Sequence, residues 1–298
     1  MRMKKGFLEK SFDVGNAVFM TALCLTIVIP FWQQIVISLS PPGEANIISL
    51  HLIPKNPTID AYQRIFIGGS ILKAYYWTIL RTVLGTFLTV IVTAMMSYPL
   101  SKKGLYGRPL WMGLVVFTMF FSGGLIPTFL LVRDLHLTNT IWALVLPGLC
   151  TAWNILIMRG FFMVLPDEVE ESAKMDGANE LSIFFKIVIP LSTPVLATVT
   201  LWTMVGHWNA WFDALIYNTN GNIKVLQIQL RDVLQDAYQM SGADQIALDP
   251  TADHTGSRYT PESIKSAILM LVVTPIILVY PFLQKYFVKG IMIGAVKG

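Results

Sequence analysis

Long apolar runs separated by short polar segments dominate the chain. A helix needs about 20 mostly apolar residues to cross a bilayer. Six stretches qualify: 14–39, 76–100, 109–131, 139–163, 190–212 and 265–287. They lack the alternation of barrel strands, and each must satisfy its own backbone in lipid, so helices are the expected form. Breakers fall inside several of them. Pro30 lies in the first, Ser122-Gly123-Gly124 and Pro127 in the third, Pro147-Gly148 in the fourth, and Pro275 and Pro281 in the sixth. The third span is expected to bend or end near 124 and resume as an interfacial segment. Irregular backbone at membrane depth is tolerated where protein or a water-filled cavity covers it.

Composition agrees with this pattern. Of the 298 residues, 54% are hydrophobic and 13% charged, against about 25% charged in a soluble domain. The fold class expected is an all-α polytopic membrane protein with six transmembrane helices. The basic residues set its orientation. Arg2, Lys4, Lys5 and Lys10 precede the first span, Lys102, Lys103 and Arg108 follow the second, and Lys285, Lys289 and Lys297 close the chain. Alternating spans put all three groups on one side, which the positive-inside rule makes cytoplasmic. Both termini then belong to the cytoplasm, and loops 40–75, 132–138 and 213–264 face outward. Trp77, Trp111, Trp142 and Trp211 stand near span ends, where interfacial aromatics collect. A net charge of +4 is explained by these loops without nucleic acid. Cys24 and Cys150 are expected as packed free thiols, and the first run as an uncleaved span.

One polar segment on the cytoplasmic side exceeds what a turn requires. Six of the 18 acidic residues lie between Asp167 and Glu180. Pro166-Asp167-Glu168 reads as a helix start. Ala173 and Gly177, four apart, are expected on one helix face, with Gly177 also letting the chain turn. Asn179 is expected to cap a second short helix whose apolar anchors are Ile183, Phe184 and Ile187, and Pro190 to start the next span. Those anchors are expected to be exposed knobs that need a groove on a partner.

The spacing of this segment carries a resemblance. Glu171-Ser172-Ala173, three residues, Gly177, nine residues and Ile187-Val188-Ile189-Pro190 resemble the EAA loop of ABC-importer permeases. The family form has Ala at 172 and Leu at 189. The closing Gly290 to Gly298, with Gly294, Ala295, Val296, Lys297 and Gly298, resembles the tail of carbohydrate-type permeases related to the smaller maltose-permease subunit. The resemblance covers most of 73–298. It implies a type I ABC-importer permease fold in three parts: 1–72 with the first span and outer loop, a core over 73–287, and a cytoplasmic tail over 288–298. It also implies that Glu171, Ser172, Ala173, Asp176, Gly177, Ile183, Phe184, Ile187 and Pro190 serve an ATPase-docking loop, and that the tail contacts the same partner. The partners implied are a second homologous permease, two cytoplasmic ABC ATPase subunits and an extracytoplasmic solute-binding protein, in a prokaryotic cell membrane.

The fifth span holds Trp202, Met204, His207, Trp208, Asn209 and, at its end, Phe212. Aromatic faces beside amide and imidazole groups suit sugar rings, so these residues are candidates for a substrate pathway. Helix packing is the competing reading. Arg81 lies one turn inside the second span, where it either snorkels, pairs or serves function. No P-loop, HExxH or nucleophile elbow occurs, so no catalytic residue, metal or cofactor is expected. The expected function is a permease subunit that moves a carbohydrate by alternating access driven by partner ATPases. An ABC permease for a non-sugar solute such as a peptide stays open, as does an ion-coupled secondary transporter.

Overall fold

The computed structural model describes residues 6–41, 52–67, 69–233, 235 and 260–295, without the side chains of Phe7, Tyr280 and 282–295. Every regular element among them is helical. Three helices are long and apolar enough to cross a membrane unbroken: Leu8–Ser38, Ser70–Ser101 and Pro261–Val279. Three further helix pairs are long and apolar enough only when each bent pair is taken together: Arg108–Phe120 with Leu125–Asp134, Ile141–Gly148 with Ala152–Phe162, and Glu180–Leu191 with Thr193–Asn209.

The chain forms two compact units. The first comprises Met1–Gly69 and Leu230–Thr274, and the second Ser70–Gln229 and Pro275–Gly298. This division differs from the expected boundaries at 72 and 287.

In the first unit, α1 (Phe7–Ser38) passes through Pro30 without a break. Its apolar side chains up to Ile29 face outward, as suits a helix surrounded by lipid. Its far end is tied in. The Trp32 indole donates to the Leu52 carbonyl at 2.8 Å, and the Tyr62 hydroxyl of α2 (Asp60–Phe66) donates to Ser38 at 2.9 Å. Ser266 donates to Gln34 at 2.8 Å. The last helix, α12 (Pro261–Ala295), starts with a reciprocal cap. The Thr260 amide donates to Ser263 Oγ at 2.9 Å, and the Ser263 amide donates to Thr260 Oγ1 at 3.1 Å. Such exchange satisfies two orphan donors of a helix start. The helix continues through 287, so no break separates span from tail.

The second unit is built around α3 (Ser70–Ser101), flanked by α7 (Ala152–Phe162) and α10 (Thr193–Asn209). The third span breaks where expected. α4 (Arg108–Phe120) ends before four residues that belong to no helix, and α5 (Leu125–Asp134) leaves at 112°. Gly124 sits at φ 87°, a backbone that other residues rarely adopt. The fourth span bends by 55° between α6 (Ile141–Val145), with its 3₁₀ turn Leu146–Gly148, and α7. Pro147 supplies no amide there, and the Thr151 side chain caps the restart by accepting from Asn154.

Two apolar cores stabilise this unit. One gathers Ala94, Tyr98, Met158, Phe162, Ile183, Phe184, Val188, Val195 and Val199. The other joins Val132, Ala143 and Leu144 to Ala214 and Tyr217 of α11 (Phe212–Tyr217), with Ile223, Val225 and Ile228 from the following loop. Residues 226–233 and 235 are helical, and 236–239 of the expected amphipathic helix lie outside the described residues.

Candidate functional site

The segment 166–190 folds as two short arms. Its first arm, α8 (Asp167–Met175), has Pro166 as N-cap, and Asp167, Glu168 and Glu170 fill the first turn, where carboxylates meet the positive end of the helix dipole. The Gly177 amide donates to the Lys174 carbonyl at 3.0 Å, and the Ala178 amide donates to Ala173 at 2.9 Å. With Gly177 at φ 80°, this is a Schellman ending. Gly177 therefore lies beyond the helix and not on a face shared with Ala173. Ala173 and Ala178 instead close the motif against the apolar core.

The second arm, α9 (Glu180–Ile183), is capped by Asn179, whose Oδ1 accepts from the Ser182 amide at 2.7 Å. A π-helical turn, Phe184–Val188, and a last turn, Ile189–Leu191, follow. A proline lacks an amide and crowds the carbonyl four residues back. For Pro190 that carbonyl belongs to Lys186, within the widened turn. The spanning helix does not start at Pro190. The chain bends by 81° at Ser192, and α10 starts at Thr193 with Pro194 in its first turn.

Burial reverses the assignment of the apolar anchors. Ile183 is 0% and Phe184 4% exposed, both packed in this chain's own core, and Ile187 is half-buried. The chain thus supplies the groove that the sequence reading placed on a partner. Uncovered apolar side chains of the segment include Leu181, 64% exposed, Phe185, 50%, Val169 and Met175, and Glu171, Ser172 and Asp176 are exposed as well. Phe185 follows Leu181 by four positions, about one helical turn. Sequence reading missed them because one-face periodicity cannot say which face the rest of the chain covers.

It also missed Glu170. This carboxylate is buried, ion-paired with Lys102, and 3.2 Å from the Tyr98 hydroxyl. The same hydroxyl lies 3.4 Å from Glu180, which pairs with Lys174 at 2.8 Å. That hydrogen bond to Glu180 raises the Lys174 pKa. Tyr98 also meets the Phe162 ring edge-on at 6.3 Å and the tilted Phe184 ring at 5.3 Å, pairs worth about 0.5–1.5 kcal/mol each. Nearby, Arg108 and Arg159 both donate to the Leu100 carbonyl, at 3.1 and 3.0 Å. That carbonyl lies in the last turn of α3, where cations and donors satisfy orphan acceptors.

The pathway candidates of the fifth span do not converge. Met204 and Trp208 line a cavity of about 160 Å³ with Ile79, Val83 and Pro275. Met204 also borders an open groove of about 420 Å³ with Thr86, Phe87 and Thr200. His207 turns instead into α3. Asn209 Oδ1 accepts from Gln227 at 3.4 Å, and Trp202 and Phe212 lie on the surface. The walls of both hollows are mainly hydrocarbon, which suits apolar packing better than sugar hydroxyls. Arg81 does not snorkel. It is 2% exposed, ion-paired with Asp213, and donates to the Ala210 carbonyl at 3.0 Å and the Leu144 carbonyl at 3.4 Å. Cys24 and Cys150 are free, yet both lie on the chain's surface and are not packed inside. Of the tail residues, Gly294 and Ala295 belong to α12, while Val296, Lys297 and Gly298 lie outside the described residues.

Bent and unbroken helices around α3, with a folded polar segment at one end, define an all-α polytopic membrane protein of the type I ABC-importer permease fold. Residues 65–293 match the family described as binding-protein-dependent transport system inner membrane component, and the chain belongs to it. It is 40% identical over 290 residues to the polygalacturonan/rhamnogalacturonan transport system permease protein YtcP of Bacillus subtilis (strain 168), covering 97% of this chain and 99% of that one. It is 28% identical to the arabinooligosaccharides transport system permease protein AraQ of the same organism, covering 96% of each. A solved bacterial ABC transporter involved in import of the acidic polysaccharide alginate contains a chain that superposes with TM-score 0.86 at 31% identity. That alignment covers 96% of this chain and 100% of that one.

Proposed function

We propose that this chain is a transmembrane subunit through which a binding-protein-dependent importer moves a carbohydrate, an oligosaccharide or glycan fragment. The observation that carries the mechanism is the uncovered pair Leu181 and Phe185, on a segment whose opposite side is locked into the chain's own core. An apolar pair left uncovered on an otherwise polar, acidic segment suits a contact with another protein. The reading is that segment 166–190 docks on a cytoplasmic ABC ATPase subunit. Glu171, Ser172, Asp176 and Gly177 shape that surface, and the tail adds a second contact. Two such ATPases, a second homologous permease and an extracytoplasmic solute-binding protein complete the assembly. ATP-driven closure of the ATPases pulls on the segment, and the bundle alternates its access. ATP hydrolysis belongs to the partners, and both termini lie in the cytoplasm.

The cargo assignment draws on the relatives. Two are named for polysaccharides, one of them called acidic, and another for arabinooligosaccharides. An acidic glycan fragment is therefore the first cargo to test. The test is co-expression of the chain with its partner permease, ATPases and binding protein in proteoliposomes. ATP-dependent uptake of labelled oligogalacturonides is expected. Uptake of peptides in place of glycans would overturn the cargo, and failure of the ATPases to co-purify would overturn the docking.

A further inference from the structure

Among the described residues, Glu170 is the one buried carboxylate. Burying a carboxylate costs several kcal/mol unless a partner compensates it. The start of α8 does not need this one, because Asp167 and Glu168 already serve the helix dipole at no burial cost. What Glu170 gains is a grip on α3. The Lys102 ammonium, one residue past the end of that helix, pairs with it and stands 4.9 Å over the Tyr98 ring. Tyr98 holds its hydroxyl, with one proton to give, 3.2 Å from Glu170 of the first arm and 3.4 Å from Glu180 of the second, and donates to one of them at a time. Glu180 returns to the first arm through Lys174. Both arms of the segment are thus fastened to the same end of α3.

α3 is fastened a second time, about three turns inside its start. Arg81 binds the Leu144 and Ala210 carbonyls and Asp213. Between these two fastenings Thr82, Thr86, Thr89, Thr93 and Ser97 are all buried. A helix held by charge at two well-separated levels moves as one body with what it holds there.

We propose that Glu170 is a positioning residue that couples segment 166–190 to α3. Through Lys102 and Tyr98, a displacement of the segment is delivered to α3 and, through Arg81, to the chain around Leu144, Ala210 and Asp213. This rests on the docking reading above. It assigns the transmission to Glu170, which touches neither cargo nor ATP, and not to the exposed surface that meets the partner.

The test uses the complete importer in proteoliposomes, with Glu170→Gln and the reversed pair Glu170→Lys with Lys102→Glu. Three quantities are read: ATPase co-purification, ATP hydrolysis and cargo imported per ATP. For Glu170→Gln, co-purification and hydrolysis are expected to persist while import per ATP falls about ten-fold, within the range by which coupling residues act. The reversed pair is expected to recover import to within about three-fold of the parent. Unchanged import per ATP in Glu170→Gln overturns the proposal. Loss of co-purification in both variants also overturns it, because Glu170 then only maintains the fold. Absence of ATPase co-purification in the parent chain refutes the docking reading itself, so the two failures are distinguishable.

Discussion

Gly85 of α3 lies so close to the His207 ring of α10 that a Cβ built on it would stand 2.5 Å from Nε2. The contact is a helix crossing made possible by a missing side chain, a common device in membrane bundles, where close backbone approach replaces hydrophobic drive. It also explains why His207 is buried and not directed at a pathway.

Gly85→Ala is therefore expected to destabilise the bundle by about 1–3 kcal/mol, the usual cost of overpacking. Adding His207→Ala should recover much of that loss. Thermal unfolding of the detergent-purified protein, followed by tryptophan fluorescence, measures both. Equal stability of Gly85→Ala and the parent would contradict the crossing.

Arg81 and Asp213 form a pair in which Arg81 is buried. Removing one member of a buried pair costs about 3–5 kcal/mol, while replacing both with apolar groups comes closer to neutral. Asp213→Leu alone is expected to be severely destabilising, and Arg81→Met with Asp213→Leu distinctly less so. A double-mutant cycle on the same unfolding transition gives the coupling, and additivity of the two changes would rule the pair out.

The two apolar sets of segment 166–190 are expected to behave oppositely. Leu181→Glu and Phe185→Glu lie on open surface and should leave the unfolding transition within about 0.5 kcal/mol of the parent. They should also abolish ATPase co-purification. Ile183→Ala and Phe184→Ala remove core volume and should cost about 2–5 kcal/mol, whatever partner is present. Pull-down beside thermal unfolding separates these outcomes, and normal co-purification of Leu181→Glu with Phe185→Glu would count against docking there.

Gly177 ends α8 in the left-handed region with open space where a Cβ would go. The cost of substitution is thus conformational and not steric, about 1–2 kcal/mol for most residues and less for Asn. Gly177→Val is expected to insert in the membrane yet lose import, with Gly177→Asn retaining more. Uptake per inserted protein, measured by immunoblot-normalised transport, checks the order Gly, Asn, Val.

Most of the fold was legible in the chain. Span number, the break at Ser122 to Gly124, the caps at Pro166 and Asn179 and the turn at Gly177 follow from local rules, in which a residue's own backbone or side chain decides the geometry. The site was only half legible. Spacing located segment 166–190, but it misassigned Ile183 and Phe184 as outward. It also started the next span at Pro190, two residues before the bend at Ser192, because the π turn that absorbs the proline is not a sequence-local choice.

The sequence by itself determined that this is a helical membrane protein with an acidic, capped segment between two spans, because length, hydropathy and capping act within a few residues. The tertiary structure alone decided which side of each helix is covered. It brought Tyr98, Lys102 and Glu170 together across 68 and more positions, and Arg81 to Asp213 across 132. It also placed His207 against Gly85. Those pairings depend on where whole helices cross, and the pattern along one helix carries no record of its neighbour.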